Sequence, residues 1–166
     1  MVDVDHLLEL AKDLADPPGA GAPRQVVLRR AVSTAYYALF HALCGHAAGT
    51  FVAQNVPKAR TLFYRSLEHG KCKERCKKLG QNPLQTKEKA FFARGAFGAP
   101  LRTVANSFVE LQEWRHNCDY DPDYKIAKVE ALQAVDEARN AIAELKAANA
   151  VERSQFLAYL LLGLRN

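Results

Sequence analysis

The chain has 166 residues, of which 49% are hydrophobic and 25% charged, with a net charge of +5. That balance suits one folded domain with its own core, and it excludes both a disordered chain and a miniprotein dependent on metal or disulfide staples. The longest strongly apolar run, FLAYLLLGL at 156–164, is too short to cross a bilayer, so no membrane contact is expected. The first predicted helix covers 4–15, where Val4, Leu7, Leu8, Ala11, Leu14 and Ala15 share one face. Asp3 or Asp5 can cap its start, and DPPGAGAP at 16–23 ends it. A long second helix is predicted over 24–46. Leu28, Val32, Ala35, Leu39 and Leu43 form its stripe, widened by Tyr36, Tyr37, Phe40 and Cys44, with Arg29, Arg30 and Ser33 as polar anchors. So broad an apolar surface belongs at the centre of a core or at an oligomer interface.

The middle of the chain is less regular. RTLFYRSLEH at 60–69 has helical spacing, Gly70 is read as a break, and KCKERCKKL at 71–79 forms a short basic amphipathic helix. Prolines and glycines mark 81–99 as a loop. A further helix begins near Pro100, turns Leu101, Val104, Phe108, Leu111 and Trp114 inward, and ends around Cys118. Asp121 followed by Pro122 reads as the cap and first turn of the next helix, with Val129, Leu132, Val135, Ala138, Ile142 and Leu145 inward. A last packing helix covers 151–165 with Phe156, Leu157, Leu160, Leu161 and Leu164. No alternating strand pattern occurs. The expected fold is all-α, an antiparallel up-down bundle of four main helices with shorter ones beside them.

Charge is unevenly spread. Between Lys58 and Arg102 there are twelve Lys/Arg and three Asp/Glu, a local balance of +9, whereas 121–166 carries six basic and seven acidic residues. A basic middle of this kind favours polyanions, nucleic acid first, against the plainer reading of a solvated surface. Lys71, Lys73, Arg75, Lys77 and Lys78 are the candidate nucleic-acid contacts within it. His69, Cys72 and Cys76 have spacings of three and four and so could share a helical face as soft ligands. Tetrahedral zinc draws on more than one segment, and an apolar Cys72–Cys76–Leu79 stripe accounts for the same residues, so no metal is expected. The glycines at 19, 21, 95 and 98 lack a following GK[ST] or a preceding strand, and no cofactor is expected. The opening MVDVDHLLEL is unlike an export leader, and with four scattered cysteines it points to a reduced, cytoplasmic protein.

Two stretches taken together, LRRAVSTAYYALFHAL at 28–43 and FVELQEWRHNCDYDP at 108–122, resemble the HEPN domain family (higher eukaryote and prokaryote nucleotide-binding), as one domain over 1–166. The resemblance implies a helical homodimer with the arginine-bearing helix end facing its counterpart. It also implies RNA or nucleotide as ligand and, in toxin–antitoxin systems, a nucleotidyltransferase-type partner protein. Many members are metal-independent ribonucleases and others are binding modules. The family's motif is an arginine followed after four to six residues by a histidine. Arg115 matches the arginine, but those spacings fall on Tyr120, Asp121 or Pro122, and His116 is out of register. Arg115 is the anion-binding candidate, and Arg115 with His116 the catalytic one, with arginine stabilising phosphate charge and histidine moving the proton. Pairing of Arg115 with Asp119 or Asp121 is the purely structural account. Three readings follow: a binding module without its own chemistry, which the missing histidine favours; a ribonuclease toxin using His116; and a structural subunit that assembles through its C-terminal helix.

Overall fold

The computed structural model describes residues 2–19, 21, 23–92, 95 and 97–164. The described residues form an all-α fold with no strand among them: α1 (Val4–Ala15), α2 (Gln25–Phe51), α3 (Pro57–Tyr64), α4 (His69–Leu79), α5 (Thr86–Phe91), α6 (Ala99–Tyr120), α7 (Lys128–Ala147) and α8 (Ala150–Leu162). No helix among them is long and apolar enough to cross a membrane.

Helix α2 is the central element, packing against α1, α3, α6, α7 and α8. Its stripe from Leu28 to Cys44 is buried as expected, including Tyr36 and Phe40, with Tyr37 half-buried. Helix α2 runs five residues beyond the predicted His46, through Gly49, because Ala47 and Ala48 are buried in the core. Helix α6 lays Leu101, Val104, Phe108 and Leu111 against α2 and α7, each fully buried. Every such large side chain contributes about 1.5–3 kcal/mol through removal from water.

Helix α7 departs from expectation at its start. Asp121 does not cap it; the helix begins at Lys128, with Glu130 Oε2 accepting the Ala127 N–H at 2.7 Å. The Asp121 carboxylate instead accepts the Asp123 N–H at 2.9 Å in a tight turn. The connector is fixed by α2. Arg29 Nη2 donates to the Asp121 carbonyl, and the Gln25 amide grips Ile126 on both sides, donating to its carbonyl at 2.8 Å and accepting its N–H at 3.0 Å. Val129 is consequently 70% exposed, and small residues, Ala131, Ala134 and Ala141, share the inner face with Val135, Ala138, Ile142 and Leu145. Alanines there let α7 sit close to α2 and α6.

Two further expectations change. Gly70 does not break the middle helix: it lies in the first turn of α4, and His69 begins the same helix as the cysteines. Glycine costs little there, where the backbone has few helical bonds to lose. The 81–99 segment, expected to be a loop, contains α5, and its residues Ala93, Arg94 and Ala96 lie outside the described residues. Helix α8 buries Phe156, Leu157, Tyr159 and Leu160 against its own chain, on α2 and α4, leaving Leu162 at 78% exposure.

Candidate functional site

Arg115 lies in the last turns of α6, facing the tyrosine pair of α2. Its Nη2 donates to the Tyr37 hydroxyl at 3.0 Å, and its Nε lies 2.7 Å from Asp119 Oδ2, one turn on. That second contact is off the N–H axis, so it is an ion pair rather than a linear hydrogen bond. Asp119, not Asp121, is thus the arginine's carboxylate partner, and its other oxygen accepts from Ser33 Oγ at 2.6 Å. Three rings surround the guanidinium, those of Tyr36, Tyr37 and Tyr120, at 6.0, 5.6 and 5.3 Å from its carbon. Burial works against the charge here, but Tyr37 and Asp119 outweigh it and raise the Arg115 pKa. The side chain keeps 20% of its surface open to solvent.

His116 is exposed. Its ring rests against Tyr120 at 5.0 Å, so Arg115 and His116 share that tyrosine as a neighbour. The histidine enclosed with the tyrosine pair is a different one, which sequence reasoning placed only in a hypothetical metal stripe. His69, the first residue of α4, stacks on Phe40 at 3.8 Å, and its Nδ1 lies 2.5 Å from the Tyr36 hydroxyl. Burial first, then the positive charges of Arg115 and His41, hold its pKa below the ordinary imidazole value. Burial likewise keeps the Tyr36 phenol protonated, well above its ordinary range. Tyr36 is fully buried and has no other acceptor among the described residues, so its proton goes to Nδ1 of His69. The neutral imidazole therefore carries its own proton on Nε2, as a donor rather than a base. The i, i+4 and long-range pairings that create this arrangement bring α2, α4 and α6 together; nothing local in the sequence marks His69 as Arg115's neighbour.

The basic face of α4 is more committed than its composition implies. Lys71 pairs with Glu68 at 2.7 Å, while Lys73 and Lys77 share Glu113 of α6 at 3.2 and 3.1 Å. Lys77 first, with Lys73, holds the Glu113 carboxyl below its ordinary range against the opposing effect of burial. Arg75 is half-buried and donates to the Leu160 carbonyl at 2.6 Å, satisfying the end of α8. Only Lys78, of the five, has no polar or carboxylate partner among the described residues.

Cys72 and Cys76 are buried, and the Cys76 thiol is pushed up chiefly by burial and further by the neighbouring Cys72. Cys44, next to them on α2, is pushed up to about 12 by the same cause. His69 spends its Nδ1 on Tyr36, and among the described residues no group of three His, Cys, Asp or Glu is placed to share a metal ion. Against known proteins, no family model, curated protein or solved structure matches the chain.

Proposed function

We propose that the chain is a HEPN-like homodimeric module that binds a phosphate of RNA or a nucleotide at Arg115 without cleaving it. In this reading α1, α2, α6 and α7 are the four main helices of an antiparallel up-down bundle. The observation that carries the reading is the fate of the imidazole beside Arg115: locked by Tyr36 as the Nε2–H tautomer, His69 can donate to an anion but cannot take a proton from a ribose hydroxyl. Arg115 supports binding because its charge is held at a solvent-facing helix end with part of its donor fork open. An arriving phosphate competes with Asp119 for that fork. One observation favours the ribonuclease alternative: Arg115 and His116 converge on Tyr120.

Fluorescence anisotropy with a labelled single-stranded RNA, run beside a cleavage assay on the same oligonucleotide, separates the two. The binding module gives saturable anisotropy, no cleavage above background, and at least about tenfold weaker affinity for Arg115→Ala, the effect of losing a charge-assisted hydrogen bond. Cleavage that disappears in both Arg115→Ala and His116→Ala establishes the ribonuclease instead. Absence of RNA binding in low salt defeats both. Light scattering tests the homodimer, and a strict monomer removes the facing-helix geometry.

A further inference from the structure

A second concave region lies away from Arg115, along α3. A cleft of about 500 Å³ is lined by Gln54, Arg60, Thr61, Tyr64 and Arg65, together with Val2 and Pro57. That volume is in the range of small-molecule sites. Pro57, Arg60, Thr61 and Tyr64 fall at i, i+3, i+4 and i+7, so one face of α3 forms its wall. Two guanidinium groups line it and no carboxylate does. Among the described residues neither Arg60 nor Arg65 has an ion-pair partner, in contrast to Arg115 with Asp119.

The two arginines differ usefully. Arg60 is half-buried and anchored: its Nη1 donates to the Val52 carbonyl at 3.0 Å, at the end of α2. One carbonyl occupies one of the five N–H groups of a guanidinium, so the fork is oriented with donors to spare. Arg65 closes α3, exposed and adjustable. Between them Tyr64 supplies an aromatic wall. Its hydroxyl is tied to His41 Nδ1 at 2.7 Å and its ring lies nearly parallel to that imidazole, at 11°, so the wall is fixed. Val2 and Tyr64 also line an adjoining hollow of about 190 Å³ that holds Lys146 and Asp5, themselves 4.0 Å apart. The trough is therefore cationic at the α3 end, neutral toward α7, and aromatic in the middle.

We propose that the α3 cleft binds a small organic phosphate, a phosphomonoester on a ring-bearing scaffold, with the dianion on Arg60 and Arg65 and the ring against Tyr64. Two guanidiniums without a competing carboxylate match a phosphate dianion in charge and in donor geometry. A flat apolar ring gains from Tyr64 what free phosphate cannot. The site is independent of the Arg115 reading and stands or falls separately.

The test is a titration of the ¹⁵N-labelled full chain with AMP, with inorganic phosphate and a single-stranded RNA oligonucleotide as further arms. Saturable amide shifts at Gln54, Thr61, Tyr64 and Arg65 are expected, with AMP bound at least about tenfold more tightly than inorganic phosphate. Arg65→Glu, at an exposed position, weakens AMP by about tenfold or more at unchanged melting temperature, and Arg65→Gln weakens it less. No saturable shift up to about 10 mM AMP, a Kd well short of any functional range, overturns the proposal. So does equal affinity in the Arg65→Glu chain, or equal affinity for AMP and phosphate. RNA displacing AMP from the same amides at lower concentration also overturns it, making the face a nucleic-acid surface.

Discussion

Two tyrosines lie inside the helical core with their hydroxyls hydrogen-bonded, and their partners differ in kind. Tyr36 of α2 donates to His69, a neutral ring at the edge of the Arg115 cluster. Tyr159 of α8 donates at 2.7 Å to Oε1 of Glu88, an acid on α5 that is only 4% exposed and whose Oε2 has no hydrogen-bond partner among the described residues. Burial raises both phenols, and Glu88 adds to the rise for Tyr159. The first pair faces a region with charge, aromatic surface and solvent access; the second is enclosed by Phe91 and Phe92, with ring centroids 5.7 and 6.5 Å from Tyr159. A polar group can thus be buried for different ends. At Tyr36 the hydrogen bond selects a tautomer beside a candidate site, whereas at Tyr159 it satisfies half of an acid and fixes α5 to α8.

The comparison can be broken by removing each hydroxyl. Tyr159→Phe leaves both oxygens of a buried carboxyl without a donor and should cost about 2 kcal/mol or more in urea unfolding. Adding Glu88→Leu should recover part of that loss, since removing both partners costs less than stranding one. Tyr36→Phe should cost less, about 1 kcal/mol, because His69 retains access to water at the edge of the core. A larger loss at Tyr36 than at Tyr159 would reverse the ranking.

Tyr36→Phe also sharpens the tautomer argument. A donor on Nδ1 favours the neutral ring, so its removal should move the His69 titration upward, read from imidazole proton shifts against pH. The smallest effect is on the pH dependence of stability. Burial lowers His41, His46 and His69 in the folded chain, so the unfolded chain binds more protons once the pH falls below about 6.5. Their contribution is complete above that pH and is lost progressively below it, giving a lower melting temperature at pH 5.5 than at pH 7.5. Tyr36→Phe should flatten this fall, and an unchanged slope would detach His69 from it.

The basic face of α4 offers a further, weaker contrast. Replacing Lys71, Lys73, Lys77 and Lys78 together by Gln should reduce the salt slope of single-stranded RNA binding by less than the approximately 0.7 per phosphate contact of free lysines. Three of the four already face a carboxylate.

Helices with strong periodicity were legible from residues alone: α1 has the predicted bounds and α2 the predicted stripe. Where the reading failed, a distant residue had overruled a local signal. Asp121 and Pro122 carry every mark of a helix start, yet Gln25 and Arg29, almost a hundred positions earlier, hold that backbone in a turn. Gly70 has the composition of a break but lies in the first turn of α4, where a glycine ends nothing. Arg115 could be picked out as a helix-end cation with Asp119 or Asp121 as its partner, but the choice of Asp119 depended on the helix running two residues past Cys118, to Tyr120. His69 could not be, since its place beside the tyrosines depends on how α4 docks on α2 and α6. The face of α4 shows the same limit: charge counts revealed five cations, but their partners on α6 and α8 follow only from packing.

The grip of Gln25 on Ile126 has a consequence for how the sequence can vary. A side-chain amide that takes both the N–H and the carbonyl of one residue behaves as a single rung of a ladder, and it reads position rather than identity. Substitutions at Ile126 that keep an apolar side chain leave the rung intact. A residue inserted or deleted between Asp121 and Ala127 shifts the rung onto the wrong backbone unit and turns Ile126 out of the core. Length, more than composition, is what the geometry of this connector fixes.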